Sequence, residues 1–535
     1  MISLGVVRPG RGRTGRVVQF VSLAILLATV ASCGGSSGNS STPAAASMTP
    51  AAAGGSPASG SQTGGAAASP TAAARDLKLV KVAPDNGPSG TAFTITGEGL
   101  PAGKEAEVLW ATVDGSWDTT ASPENIQFNK RVFKDRRLSL GKVQVDGAGK
   151  VNGTVTAPDD FGEVHDIFLA VDGQDVAKSG FRIMRNVTIS PEQGPIGTPI
   201  SIKVTGLSWS QYSNTISVRY DNLPTGIITA VTTRGTATGS IRAAGVAGKH
   251  VIDIDHGARS VPFLNNQQSG TANIPDWRLW FTITDDKTLP ANTIDWPDAS
   301  HVGQLTSAAP TAASAKPPTS SVKAALSPTT GPILSATTFT ATGLQPNAPA
   351  ELFWVTARGN RANPSGWGLT DSSLGKGTAG ADGSLTLKLQ IPDDLGGWHV
   401  AKLVSGDSVL AEVPFFVERS LVGITPAKVK AGDVFTIHLK GVGWTELDNG
   451  TAMTYDNGYV GFACGFNSNG DVTVNLVATG APGIHLIDLY PMIYQGHGES
   501  PWGYQEPLLA FKEDAPGLSL GYRLPAFRLA IEVVP

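Results

Sequence analysis

The chain has 535 residues with 64 Gly, 36 Pro and only 16% charged residues, and its formal net charge is −4. This length predicts several domains of roughly 100 to 200 residues each. The many helix-breaking residues, the two Cys and the near-neutral charge argue against coiled coils, disulfide scaffolds and basic nucleic-acid-binding proteins.

The N-terminus has the pattern of an export signal. Four arginines and no acidic residue precede a largely apolar run, 17–30, which is short for a membrane span. The tetrapeptide 30–33, Val-Ala-Ser-Cys, resembles the lipobox of bacterial lipoproteins, in which the Cys becomes the lipidated N-terminus after cleavage. The resemblance implies a signal peptide over 1–32, lipidation of Cys33, and an extracytoplasmic protein that is lipid-anchored to a bacterial membrane at the cell surface. The alternative is a soluble secreted protein with a coincidental Cys.

Two segments have the composition of linkers. Residues 34–74 are small or polar apart from one Met and carry no charge, so 33–75 is predicted to be the lipidated Cys followed by a disordered tether. A stretch rich in Ala, Pro, Ser and Thr within 288–322 predicts a second linker between two halves, each expected to fold separately. Loss of 1–32 would remove four basic and no acidic residues, which argues further against nucleic acid as a partner.

The two halves repeat the same motifs in the same order, which indicates a duplication. A Trp-ending strand, a Tyr-Asp-Asn turn and a Gly-x-His strand each occur twice. These pairs are 106–110 with 350–354, 220–222 with 455–457, and 248–253 with 483–488.

Each half divides again, because a Pro, a Gly-containing turn and an alternating strand open four segments, at 84–97, 191–206, 328–343 and 426–441. This opening resembles that of immunoglobulin-like IPT/TIG domains, although the third and fourth copies lack the full Gly-Pro-x-Gly-Thr. The resemblance implies a binding or structural role outside the cell.

Period-two alternation with turn residues between short runs independently predicts antiparallel sandwiches. Only 124–137 offers a helical candidate. The prediction is an all-β fold of four tandem immunoglobulin-like β-sandwich domains, arranged as two duplicated pairs after the disordered tether. The domains are predicted at 76–184, 185–287, 323–418 and 419–535.

The repeated pairs of His250 with Asp253 and His485 with Asp488 contain the residue types of a general base or a metal ligand. Residues three apart on a strand point to opposite faces, so the members of each pair are expected to point apart. The prediction is therefore structural: each His lies on the core face and bonds to a neighbour. The expected neighbours are Tyr220 for His250 and Tyr455 for His485.

Adjacent carboxylates at 159–160 and 393–394, and the Asp-Asn turns at 221–222 and 456–457, are candidates for Ca²⁺. Calcium needs several more oxygen ligands converging on the same point, and Asp-rich turns are common without it. The prediction is no metal and no cofactor, with Ca²⁺ as the alternative. Five basic residues within 130–137 are interpreted as a solvated loop, with an anionic polymer as the alternative ligand.

The loop before the last strand of the fourth domain is much longer than its counterpart in the second domain and is rich in aromatic residues. Aromatic rings beside carboxylates are typical of sugar or peptide recognition, whereas the alternative is a loop that packs on itself. The candidate ligand-binding residues are Tyr494, His497, Glu499, Trp502, Tyr504 and Glu506.

The sequence as a whole favours a non-enzymatic, membrane-anchored surface lipoprotein that acts as a binding, adhesion or spacer module. Its expected partners are the membrane, through Cys33, and an envelope glycan or protein. One alternative is an envelope hydrolase with a site around His497, Glu499 and Glu506. The other is a solute-binding lipoprotein, a class whose strands alternate with helices that this sequence lacks.

Overall fold

The computed structural model describes residues 77–122, 125–210, 213–257, 262–270, 272, 274–302, 321–359, 367–494 and 505–535. In these residues the strands form eight sheets, and the only helices are two 3-10 turns, Phe466–Ser468 and Leu518–Leu520. Three-stranded sheets alternate with larger ones, and each such pair makes one sandwich. The predicted all-β fold of four immunoglobulin-like domains in two duplicated pairs is confirmed. The export signal, Cys33 and the tether lie outside the described residues.

The first domain contains strands β1 to β9. Sheet β2-β4-β7 faces sheet β1-β9-β8-β5-β6, and β3 also pairs with β9. Phe93 and Ile95 on β4 are buried, as their alternation predicts. The strands are β1 Lys78–Leu79, β2 Lys81–Ala83, β3 Asn86–Gly87, β4 Ala92–Gly97, β5 Glu105–Ser122, β6 Asn125–Gln144, β7 Val151–Thr156, β8 Glu163–Val171 and β9 Gln174–Ile183.

The second domain contains β10 to β17. Sheet β10-β12-β15 faces sheet β11-β17-β16-β13-β14. The strands are β10 Asn186–Ser190, β11 Gln193–Gly194, β12 Pro199–Thr205, β13 Thr215–Tyr220, β14 Leu223–Thr229, β15 Ala237–Arg242, β16 Gly248–His256 and β17 Trp277–Ile283. The next strand, β18 Thr293–Asp295, lies inside the segment 288–322 that the sequence assigns to a linker. It pairs antiparallel with β34, the last strand of the fourth domain.

The third domain contains β19 to β26 and repeats the topology of the first. Sheet β19-β21-β24 faces sheet β20-β26-β25-β22-β23. The strands are β19 Lys323–Ser327, β20 Thr330–Pro332, β21 Ala336–Thr342, β22 Pro349–Gly359, β23 Trp367–Thr378, β24 Leu385–Gln390, β25 Gly397–Ser405 and β26 Ser408–Glu418.

The fourth domain contains β27 to β34 and repeats the topology of the second. Sheet β27-β29-β32 faces sheet β18-β34-β33-β30-β31, and β28 also pairs with β34. The strands are β27 Ser420–Thr425, β28 Lys428–Lys430, β29 Val434–Lys440, β30 Gly450–Tyr455, β31 Gly458–Cys464, β32 Val472–Val477, β33 Gly483–Pro491 and β34 Ala526–Val534.

The prolines that open the four segments mark the same point in every domain. At each of them the first strand of the three-stranded sheet ends, and the next strand joins the larger sheet. The peptide bonds before Pro84, Pro191, Pro328 and Pro426 are all cis.

The segment 124–137, the one helical candidate, is not a helix: residues 125–144 form β6, which pairs with β5 in a long hairpin. The apolar residues of this segment are spaced to pack along a strand. Ile126 and Phe128 are buried in a cluster shared with the other three domains. Pairing with β5 and burial against other domains therefore favour a strand here.

The two halves share a core, contrary to the prediction that each folds separately. A single cluster of buried apolar side chains includes Phe128 of the first domain, Ile227 of the second, Phe416 of the third and Phe511 of the fourth. The four sandwiches therefore form a joined body, and the duplicated halves are not independent units.

Candidate functional site

A stack of two tryptophans around a histidine joins the first and second domains. Trp110 and His165 stand on adjacent strands, β5 and β8, and their ring centroids are 4.4 Å apart. The His165 ring lies 5.1 Å from that of Trp209 in the second domain. Its two nitrogens lie 2.8 Å from Ala111 O and 2.7 Å from Phe161 O.

The third and fourth domains repeat this stack. The His399 ring lies 4.6 Å from Trp354 and 5.5 Å from Trp444. Its nitrogens face Val355 O at 3.1 Å and Leu395 O at 2.8 Å. A carbonyl cannot donate, so two carbonyl partners favour the imidazolium form, whereas complete burial lowers the pKa of His399. Backbone carbonyls of the same domain contact both ring nitrogens, so we assign this histidine a structural role.

The paired carboxylates at 159–160 and 393–394 do not converge. Asp160 and Asp394 are buried and accept hydrogen bonds from the indole Nε1 atoms of Trp110, at 2.9 Å, and Trp354, at 3.0 Å. Their neighbours point to the surface: Asp159 accepts a hydrogen bond from Thr236 at 2.9 Å. The second carboxylate of each turn therefore holds the tryptophan of the junction.

A contact between two glycine backbones lies at the same junction. Gly162 donates its N–H to Leu207 O at 3.0 Å, and a Cβ on Gly162 would lie 1.8 Å from Gly206 O. Between the third and fourth domains, a Cβ on Gly396 would likewise lie 1.7 Å from Gly441 O. No side chain fits at these positions, so the two domains of each pair meet in one close arrangement.

The repeated His and Tyr residues lie together, with an aspartate as the hydrogen-bond partner. His250 Nδ1 is 2.6 Å from Asp221 Oδ2, and Nε2 is 2.7 Å from Val246 O. The hydrogen bond to Asp221 raises the pKa of His250, against the effect of burial. Tyr220 stacks on the imidazole at 5.6 Å but donates its hydroxyl to Ala244 O.

The second copy has the same geometry. His485 Nδ1 is 2.6 Å from Asp456 Oδ2, and Tyr455 lies 5.4 Å from the imidazole. Burial lowers the pKa of His485, but the hydrogen bond and the charge of Asp456 together with the hydrogen bond to Ala481 O outweigh it, and the net direction is upward. The Asp-Asn turns considered for Ca²⁺ thus give one carboxylate each to a histidine.

Asp253 and Asp488 point away from these histidines and bind arginines. Asp253 accepts from Arg278 Nε at 2.8 Å. Asp488 binds Arg528 Nη1 at 3.0 Å and Arg242 Nη2 at 2.5 Å, and all three of these side chains are buried. Because Arg242 belongs to the second domain, this triad crosses the contact between the halves.

The aromatic loop of the fourth domain is described only in part. His497, Glu499, Trp502 and Tyr504 lie outside the described residues. Tyr494 is 2% exposed, in a small cluster with Met492, and Glu506 is half-buried. Neither of these two described candidates lies open on the surface.

The rest of this loop, residues 505–525, is here called the strap. It forms backbone hydrogen bonds with the second domain, from Leu509 N to Ile227 O at 2.8 Å and from Ser240 N to Leu509 O at 3.1 Å. Leu509 and Phe511 are buried in the shared core. The strap therefore binds the second domain to the fourth.

Asp514 is the centre of this contact and was missed by sequence reasoning. It is buried and accepts hydrogen bonds from Thr229 Oγ1 at 2.6 Å, Val231 N at 2.9 Å, and Thr232 N and Oγ1 at 3.0 and 2.8 Å. Trp117 Nε1 of the first-domain hairpin donates to it at 3.1 Å. No local pattern distinguishes this aspartate from a surface one.

The basic residues of 130–137 lie on β6, a strand and not the loop predicted for them. Arg136 forms an ion pair with Asp114 at 2.8 Å, and Arg137 forms one with Asp175 at 2.9 Å. Arg131 is buried and donates to Thr215 of the second domain at 3.0 Å. Two of the five charges are thus paired with carboxylates of the protein, and a third is buried at the contact with the second domain.

A cleft of about 560 Å³ opens where the first, second and fourth domains meet. Hydroxyls and carboxylates predominate among the residues that line it. Its polar lining comes from four separate segments, so no sequence motif could reveal it. These residues are Asp159, Thr232, Thr233, Thr236, His301, Glu513 and Ser519.

Among the residues that the structure describes, no group of three or more His, Cys, Asp or Glu is placed to hold a metal ion. The described ranges also contain no helix with the length and apolar character of a membrane span.

No protein-family model matches the chain, and no curated protein matches it. Similar solved structures include the D0–D1 domain of intimin, at 17% identity over 31% of this chain and 89% of that chain, with a TM-score of 0.13. Invasin, a bacterial integrin-binding protein, matches at 11% identity over 80% and 78%, with a TM-score of 0.17. The adhesin FdeC of Escherichia coli matches at 12% over 63% and 96%, with a TM-score of 0.14. At these TM-scores the matches carry no argument about function.

Proposed function

We propose that this protein is a non-enzymatic surface lipoprotein, anchored to a bacterial membrane through Cys33, whose four sandwiches act as a binding or adhesion module held off the membrane. The lipobox-like tetrapeptide and the uncharged stretch 34–74 support the anchor and the spacer. The IPT/TIG-like openings of the domains support a binding role outside the cell.

One observation supports the binding role: hydrogen bonds to the strap hold one side of the cleft between the first, second and fourth domains in place. Asp514 of the strap accepts hydrogen bonds from Thr229 and Val231, and Glu513 Oε2 accepts one from Thr238 N at 2.7 Å. A site that is already ordered loses little entropy when a ligand enters, so its hydrogen bonds contribute more fully to affinity. His165, His399 and Asp488 lie at contacts between domains, and this structural role supports binding over catalysis.

The binding role is tested by thermal unfolding of the purified protein with a panel of envelope oligosaccharides and with Ca²⁺. A ligand specific for the folded state adds about 2.7 kcal/mol of stability at a hundred times its Kd. We expect a glycan to raise the Tm, and expect Thr236→Val and His301→Ala to reduce that rise. Thr340→Val, an exposed threonine of the third domain, is the matched control.

A Tm that no glycan or cation moves would contradict ligand binding in the cleft and leave the spacer role. A rise that survives both cleft substitutions would place the ligand elsewhere. The anchor is tested separately with Cys33→Ala, which we expect to abolish fatty-acid labelling and release the protein from the membrane. Labelling of the variant equal to that of the wild type would exclude Cys33 as the acylated residue.

A further inference from the structure

The contact between the two halves joins two different kinds of surface. The second domain contributes the strands β14 and β15, here called the docking edge. The fourth domain contributes the outer face of β33 and β34 together with the strap, here called the receiving face. Arg242 of the docking edge donates to Leu529 O at 2.6 Å and pairs with Asp488 of the receiving face. Leu223 of β14 also lies against Gly458 of β31, the equivalent strand of the fourth domain. The rest of the contact is heterologous, because Arg242 and its partners come from different parts of the repeated domain.

The second domain carries its own copy of the receiving face, on β16 and β17. Asp253 and Arg278 occupy the positions of Asp488 and Arg528. The side chain of Arg528 is 5% exposed under the docking edge, whereas that of Arg278 is 46% exposed. This copy of the receiving face is therefore open.

The open receiving face is also more apolar than the covered one. Trp280 is 53% exposed at the position where the fourth domain has Ala530. In the second domain, the loop that corresponds to the strap carries three more exposed apolar side chains, Phe263, Leu264 and Ile274. In the strap itself, Leu524 at the position of Ile274 is buried.

The fourth domain, in turn, carries its own copy of the docking edge, on β31 and β32. Phe462 occupies the position of Ile227 and is 42% exposed, whereas Ile227 is 1% exposed in the shared core. Val477 occupies the position of the buried Arg242 and is 48% exposed, and Val460 beside Phe462 is 52% exposed. Valines thus replace Thr225 and Arg242 of the internal docking edge, and a larger apolar side chain replaces Ile227.

We infer that a second copy of this chain binds head to tail, with β31 and β32 of one copy on the open receiving face of the next. Apart from the start of β31, which lies against β14 within the chain, every chain presents one unused copy of each side of a contact that it already forms internally. Both unused surfaces expose large apolar side chains, which favours burial in a protein contact. Asp253 already has two arginines beside it, Arg278 and the buried Arg219 at 3.7 Å, and Val477 in place of an arginine adds no further charge on docking. A heterologous contact can repeat from copy to copy, so rows of molecules are expected.

The test is sedimentation velocity of the purified full chain over a range of concentrations. We expect dimers and larger species to increase with concentration. Trp280→Asp blocks the receiving face and Phe462→Asp blocks the docking edge, and each variant alone should remain monomeric. Leu79→Asp, at a first-domain side chain that is 78% exposed, is the control and should associate like the wild type. Far-ultraviolet circular dichroism checks that every variant keeps its strands.

Mixing the two blocked variants distinguishes a heterologous contact from a symmetric one. Each variant retains the surface that the other has lost, so an equimolar mixture should form dimers and nothing larger. The inference is overturned if the wild type stays monomeric up to about 100 µM, a concentration that would saturate a contact with a Kd near 1 µM. It is also overturned if the mixture stays monomeric while the wild type associates, because a different surface would then be responsible.

Discussion

Replacement of Asp514 by alanine removes the acceptor at the centre of the contact between the halves. Five hydrogen bonds converge on this carboxylate from the second domain and the first-domain hairpin. The donors on Thr229 and Val231 are buried and would lose this acceptor, at about 1–3 kcal/mol each. The other three bonds contribute about 0.5–1.5 kcal/mol each. Since bonds to one shared acceptor are not additive, we expect a total loss of about 3–6 kcal/mol.

Urea unfolding followed by tryptophan fluorescence and far-ultraviolet circular dichroism measures this loss. Asp514→Asn keeps one acceptor oxygen and should fall between the wild type and Asp514→Ala. Asp166→Ala, at an exposed position of β8, is the control and should change stability by less than about 0.5 kcal/mol. If Asp514→Ala unfolds at the same urea concentration as Asp166→Ala, the strap does not hold the halves together as described.

Three further predictions concern other buried contacts. In the folded protein the pKa values of His250 and His485 are raised above the ordinary value of 6.5. The contribution of these histidines to stability is therefore complete below pH 6.5 and is lost as the pH rises through the pKa values of the folded protein. The free energy of unfolding of the wild type should therefore fall more steeply above pH 6.5 than that of the His250→Asn, His485→Asn double variant, and equal slopes would refute this. Gly162→Ala should cost about 1–3 kcal/mol in thermal unfolding because its Cβ meets a carbonyl oxygen, whereas Gly147→Ala, with open space around it, should not. Asp488→Ala should cost about 3–5 kcal/mol in urea unfolding because it leaves buried guanidinium groups without their carboxylate, and a loss below about 1 kcal/mol would contradict that role.

The sandwich fold could be predicted because its signals are local. The alternation around Phe93 and the turn at Pro84 lie within a few residues of each other, and a similar pattern opens each of the four domains. The orientation of Asp253 away from His250 followed from strand geometry alone. Patterns of this kind act on one strand or one turn and do not depend on distant parts of the chain.

The contacts between domains could not be predicted in the same way. Trp117 and Asp514 are separated by 397 positions, and neither stands in a motif that points to the other. The helical interpretation of 124–137 failed for a related reason, because Ile126 and Phe128 are buried by other domains and not by a face of their own segment. The composition of the aromatic loop likewise predicts a ligand-binding site. In the structure, the strap, which is part of this loop, is buried against the second domain and joins it to the fourth.

The long hairpin of the first domain has a consequence for the order in which the molecule folds. Its partners, Asp514 for Trp117 and Glu446 for the backbone N–H of Phe128, come 397 and 318 positions later in the chain. Chains are synthesised from the N-terminus, so the first sandwich can form long before these partners exist. The contacts that join the four domains link residues that are far apart in the chain. They therefore form late, and they form slowly compared with the contacts within one sandwich. A chain that stops before the strap should keep its first sandwiches and expose the apolar side of the hairpin, where aggregation would begin.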